Sequence, residues 1–269
     1  MLEEPYAGKP HVRFREGQRH PFHVNKILKG VSSCLLDWFM MKTIGLIGGM
    51  SWESTVTYYQ VINETIKKQL GGLHSAKCIL YSVDFDEIEK YQSSGEWNKS
   101  AYVLTEAARA LERAGADFIV ICTNTMHKVA PEISKKINIP ILHIADMTAI
   151  ELKKSNIKKV GLLGTKYTMQ QEFYKDVLKS NGIDVMIPNC SDIETVNHII
   201  YDELCVGVVS KQSKDKYLKI ISELSKNGAE GIILGCTEIG LLVKQSDTDV
   251  PLFDTTLIHA KRAALQAIE

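Results

Sequence analysis

The residues best placed for chemistry are Thr123 and Cys236, which occupy matching positions in two copies of one local pattern. The copies read LERAGADFIVICTNT over Leu111–Thr125 and LSKNGAEGIILGCTE over Leu224–Glu238. Aligned without gaps, Gly115 falls on Gly228, Ala116 on Ala229, Asp117 on Glu230 and Ile119 on Ile232. Each copy reads as the end of an amphipathic helix, a glycine turn, a short apolar strand and a polar tip. Such a duplication implies two similar lobes presenting their tips to a shared cleft. A group that takes a proton from one face of a carbon, paired with one that returns a proton to the other face, inverts that carbon.

A thiol suits both jobs, because its ordinary pKa of about 8.5 falls further at a helix N-terminus or beside a cation. Cys236 precedes EIGLLV, an expected helix start whose dipole should favour the thiolate. The Thr123 hydroxyl is a much weaker acid; it relays a proton or hydrogen-bonds a ligand carboxylate. Asn124, Thr125 and Thr237 add amide and hydroxyl groups around the two tips, and Thr165 adds another from a repeated turn. Together they would orient a carboxylate and stabilise an enolate-like carbanion. Cys122, on the opposite strand face from Thr123, reads as packing. His127 reads as a satisfied helix histidine rather than a catalyst.

Positioning these tips requires alternating strands and helices. Expected strands lie at 42–49, 78–84, 118–122, 139–143, 159–165, 183–187, 231–235 and 250–254. Expected helices lie at 52–70, with Ser51 as N-cap, and at 98–114, from 126 to about 136, 146–155, 168–181, 192–205, 211–226 and 255–268. Phe85–Gly95 reads as a polar connection. The Gly48-Gly49-Met50 turn before the first helix should present free backbone N–H groups. KVGLLGT at 159–165 echoes TIGLIGG at 43–49, and VPLFD at 250–254 echoes IPILH at 139–143, in the same order. The expected fold is α/β, with two pseudo-symmetric lobes, each a parallel sheet flanked by helices, and the active site in the cleft between them. The first lobe spans 41–145, completed by the C-terminal helix 255–269, and the second spans 146–254.

Composition excludes several classes. Lys plus Arg is 32 and Asp plus Glu is 32, so no net charge draws nucleic acid or an anionic membrane. No apolar run is long enough to span a bilayer. The six cysteines have no ligand spacing, so no metal site is expected, and reduced thiols in the cytoplasm are the natural reading. The glycines match neither dinucleotide nor P-loop fingerprints, and nothing resembles a pyridoxal-phosphate lysine site, so the chemistry is expected to need no cofactor. Residues 1–40 have no sustained period and read as a leader or expression-derived extension ahead of a start at Met41. The cluster of His11, His20 and His23 there is not read as a metal site.

The stretches IGLIGGMSWEST, SVDFDEI, CTNTMHKVA and GCTEIGLL strongly resemble the Asp/Glu racemase family, over residues 41–269. The resemblance is to its aspartate branch, since Glu238 stands where glutamate racemases carry His. It implies two α/β lobes, cofactor-free racemisation of aspartate or glutamate, and a homodimer. It implies also that Met50 and Gln92 contact the substrate. The family pairs two cysteines, in CNT and GCT motifs; here GCT is intact at 235–237 and Thr123 replaces the first thiol. That replacement leaves open two alternatives: a single-thiol decarboxylase or isomerase of a small dicarboxylic acid, and a catalytically silent binder of small acids.

Overall fold

The computed structural model describes residues 41–269, so the expected leader and its histidines lie outside the described residues. The chain enters through β1 (Ile44–Gly48), buried along its whole length. It turns into α1 (Trp52–Leu70), where Ser51 Oγ accepts the Ser54 N–H at 3.4 Å, the expected N-cap. After β2 (Cys78–Ser82) the expected polar connection is instead helix α2 (Phe85–Ser93). Asp84 caps it through the Asp86 amide, and Ile88 and Gln92, one turn apart, bury a single narrow face. Then come α3 (Trp97–Arg113) and β3 (Phe118–Ile121).

The helix expected from 126 to 136 is a 3₁₀ turn, Thr125–Val129, followed by the short α4 (Ala130–Ser134). Pro131 removes a backbone donor, so a continuous α-helical ladder cannot cross this point. The strand expected at 139–143 is reduced to one bridge, Ile119 to Ile141, because His143 turns away to cap α5 (Ile144–Lys154). β4 (Lys159–Gly164) leads into α6 (Lys166–Gln170) and α7 (Glu172–Ser180), one expected helix broken at the extended backbone of Gln171. After β5 (Asp184–Met186), α8 (Cys190–His198) winds into a π turn, Ile199–Glu203, and a 3₁₀ turn, Leu204–Val206, where a single helix to 205 was expected. The chain closes with α9 (Lys211–Lys226), β6 (Gly231–Gly235), α10 (Ile239–Leu242), β7 (Leu252–Asp254) and α11 (Thr255–Ile268).

The strands form two parallel sheets, ordered β2-β1-β3 and β5-β4-β6-β7. With the Ile141 bridge beside β3, the strand order is the same in both, which the sequence duplication anticipates. The duplication extends to the backbone anchors. The Thr43 N–H donates to Asp117 Oδ2 at 2.6 Å, and the Lys158 N–H donates to Glu230 Oε2 at 2.6 Å. The Ile119 N–H reaches Pro140 O, and the Ile232 N–H reaches Pro251 O, both at 2.8 Å. Gly115 and Gly228 take φ of +96° and +101°, a backbone region that only glycine enters without strain. These anchors set both strands in register, so both tips emerge at carboxyl ends of parallel strands.

Helix α11 returns to α1. Tyr58 and His259 hydrogen-bond at 2.8 Å, and Ala260, Ala263, Ala264 and Ala267 pack against Ile62 and Ile66. Each of those fully buried isoleucines contributes about 1.5–3 kcal/mol to stability. Cys122 lies wholly buried in the same cluster, as packing requires.

Candidate active site

One pocket gathers Met50, Gln92, Thr123, Asn124, Thr125, Thr165 and Cys236. Thr237 is not among its lining residues; its hydroxyl donates to Glu238 Oε2 at 2.6 Å. The lining comes from the ends of β1, β3, β4 and β6, together with α2 and the π turn.

The first tip is held through its backbone. The Thr123 carbonyl accepts from His127 Nδ1 at 2.8 Å, while His127 Nε2 accepts the Ile144 N–H at 3.2 Å. Those two bonds place the ring proton on Nδ1 and leave the imidazole neutral. Burial is the largest cause of its lowered pKa. Asn124 Nδ2 donates to Thr255 Oγ1 at 3.0 Å, and that hydroxyl donates to Leu234 O at 2.9 Å, which ties the tip to β6. Asn124 Oδ1 is buried and has no protein hydrogen-bond partner. Thr125 Oγ1 lies 3.2 Å from Thr165 Oγ1 and 3.4 Å from Thr168 Oγ1, a cluster of hydroxyls joining the first tip to the β4–α6 turn.

The Gly48-Gly49 turn departs from expectation. The Gly49 N–H, expected to be free, donates to Thr55 Oγ1 at 2.9 Å. Gly49 has φ +91°, and a Cβ there would collide with the Val83 carbonyl, so the turn admits only glycine. It carries Met50, 4% exposed, into the pocket.

The second tip is held through its side chains. Cys236 Sγ donates to Glu238 Oε2 at 3.0 Å, and Ser51, across the pocket at the start of α1, donates to Glu238 Oε1 at 2.6 Å. The expected lowering of the Cys236 pKa by a helix dipole is overturned. Burial pushes the thiol well above its ordinary value, and the neighbouring Glu238 carboxylate pushes it further. Helix α10 has four residues and begins at Ile239, too short a dipole to compete.

Three titratable pocket residues, Glu238, Tyr201 and Cys205, escaped the sequence reading. Glu238 looked like a branch marker, although a carboxylate two residues from a thiol at a strand tip was a usable signal. Tyr201 and Cys205 looked like ordinary helix residues; Tyr201 lies in the π turn and Cys205 in the 3₁₀ turn after it, and nothing in the sequence marks either turn. Gln92 Nε2 donates to the Tyr201 hydroxyl at 2.6 Å, closing one side of the pocket. No lysine or arginine is among the lining residues. Among the described residues there is no group of His, Cys, Asp and Glu suited to a metal ion, and no helix is long and apolar enough to cross a membrane.

Residues 47–263 match the model of the Asp/Glu/Hydantoin racemase family. The chain belongs to that family. It is therefore a racemase, an isomerase, built on two parallel sheets. Among curated relatives, the broad specificity amino-acid racemase RacX of Bacillus subtilis is 26% identical over 81% of this chain and 95% of its own length. The glutamate racemase of Aquifex pyrophilus is 32% identical, over 52% of this chain and 53% of its own. Among solved structures, a candidate Asp/Glu racemase from Yersinia pestis is 56% identical, covering 85% of this chain and all of its own, with a TM-score of 0.81. An aspartate racemase homologue from Pyrococcus horikoshii is 38% identical over the same shares, with a TM-score of 0.75.

Proposed function

We propose that this racemase interconverts L- and D-aspartate or glutamate without a cofactor, with Cys236 and Thr123 acting on opposite faces of the α-carbon. The observation that carries the reading is that both side chains line one pocket, each at the carboxyl end of a parallel strand. The pocket also suits an amino acid. Asn124 Oδ1 offers an unpaired acceptor for an α-ammonium N–H, and the Thr125 and Thr165 hydroxyls offer donors to a carboxylate. Cys236 exchanges the proton on its own face. Thr123 relays one on the other, donating to the carbanion as it accepts from solvent water. A thiol and a hydroxyl differ in acidity, so the two enantiomers should differ in kcat and in KM. Racemisation has an equilibrium constant of one, so their ratios kcat/KM must agree.

Circular dichroism followed from each enantiomer, with α-deuterium wash-in from solvent, tests this directly. Cys236→Ala should lower racemisation in both directions by about 10²–10⁴-fold. Full activity in that variant would remove the thiol from the mechanism.

A further inference from the structure

Helix α2 turns one face to the pocket, and that face carries Phe85, Ile88 and Gln92, two apolar side chains and one amide. The opposite wall is the π turn, which presents Ile200 and Tyr201. Gln92, buried on α2, donates from Nε2 to the Tyr201 hydroxyl at 2.6 Å, a polar contact among apolar neighbours that joins the first lobe to the second. Accepting that bond leaves Tyr201 its own O–H proton to give. Burial raises the phenol pKa, so Tyr201 stays a donor across the physiological range. The free volume of the pocket is about 30 Å³, room for about two waters and too little for an α-amino acid. Ligand entry therefore requires a contact across the pocket to part. The bonds Ser51–Glu238 and Thr125–Thr165 tie strand ends together at the reactive tips, whereas Gln92–Tyr201 ties two helical walls.

We infer that Tyr201 determines specificity: its bond to Gln92 opens, and the phenol O–H and the amide N–H then each donate to the side-chain carboxylate of an acidic amino acid. This assignment rests on the racemase reading of the pocket and adds which side chains the pocket selects. The family resemblance placed Gln92 at the substrate; Tyr201 is the residue that the fold adds. No lysine or arginine lines the pocket, so a second carboxylate has to be met by neutral donors. Hydrogen bonds to an ionised acceptor are roughly twice as strong as neutral ones, so a carboxylate more than replaces the Gln92–Tyr201 bond that it parts. An apolar side chain of the same length parts that bond and replaces it with nothing, leaving two buried donors against Phe85, Ile88 and Ile200. Tyr201 thus selects the ligand at its side chain and takes no part in moving the α-proton.

The test compares α-deuterium exchange of L-aspartate and of L-2-aminobutyrate, which share a carbon skeleton, in wild type and Tyr201→Phe. Removing the phenol oxygen should lower the preference for aspartate, taken as the ratio of the two kcat/KM values, by about 10–100-fold. Most of that loss should fall in KM for aspartate, because the bond is made to the bound ligand before and during reaction alike. A residue that only shapes the wall moves both substrates together. A ratio within about threefold of wild type therefore overturns the proposal. Should melting curves reveal Y201F as unfolded, Gln92→Glu decides. A carboxylate at that position accepts the Tyr201 O–H for itself and repels the carboxylate of the substrate, so the ratio should fall at least as far, and an unchanged ratio overturns the proposal. If the wild type exchanges neither amino acid, the racemase reading fails instead, and calorimetric titration with aspartate decides on Tyr201. Binding about tenfold weaker in Y201F supports its role, and equal binding, or none in either protein, overturns it.

Discussion

The two tips share a frame and differ in how they are held. At the end of β3, a neutral imidazole grips the Thr123 backbone and leaves the hydroxyl unassisted. At the end of β6, a buried carboxylate accepts directly from the Cys236 thiol. His127, four residues past the first tip, therefore holds a backbone carbonyl, whereas Glu238, two residues past the second, holds a side chain. Duplicated folds need not hold their tips in the same way.

Three measurements break or sharpen this contrast. The largest effect belongs to Thr123→Ala, which should cut racemisation by about 10²–10⁴-fold while the enantiomer presenting its α-proton to Cys236 still exchanges deuterium without inverting. Thr123→Cys should restore inversion. If the alanine variant racemises within about threefold of wild type, Thr123 only positions the ligand and the contrast collapses.

Next is His127→Leu. It orphans the Thr123 carbonyl and the Ile144 N–H, at about 1–3 kcal/mol each, so urea unfolding should register a loss of about 2–6 kcal/mol. A loss below about 1 kcal/mol would mean the imidazole does not hold the first tip.

The smallest effect is a slope. His127, His143 and His259 sit in edge contact, and burial lowers the pKa of each, that of His259 to about 3. Folded values below the unfolded value of about 6.5 mean the unfolded chain binds more protons in acid. The stability these rings support is thus complete above about pH 6.5 and declines as pH falls toward about 3 for His259, by at most about 1.4 kcal/mol per pH unit per ring. Denaturant midpoints should fall between about pH 6.5 and about pH 5, less steeply in His259→Gln. A flat profile would place the rings in solvent contact.

Most of this architecture could be read from the chain. α1 and α11 fall where periodicity and caps put them, because Ser51 and the apolar stripes are local signals. What escaped depended on distant partners or on backbone detail. α2 was missed because Ile88 and Gln92 bury so narrow a face that the segment looks solvated. The strand at 139–143 was overdrawn because its apolar residues pair at Ile141 alone, while His143 is spent capping α5. At the site, the residue types at the tips were legible, but the direction of the Cys236 shift was not. A helix start visible in the sequence argued one way, and a buried carboxylate visible only in the fold argued the other.

The paired Asp117 and Glu230 clamps have one more consequence. They fasten each strand at its amino end, several residues upstream of the reactive tip. Substitutions at a tip can therefore accumulate without unsettling strand alignment, which leaves the segment after each clamp as an exchangeable cartridge on an inherited chassis.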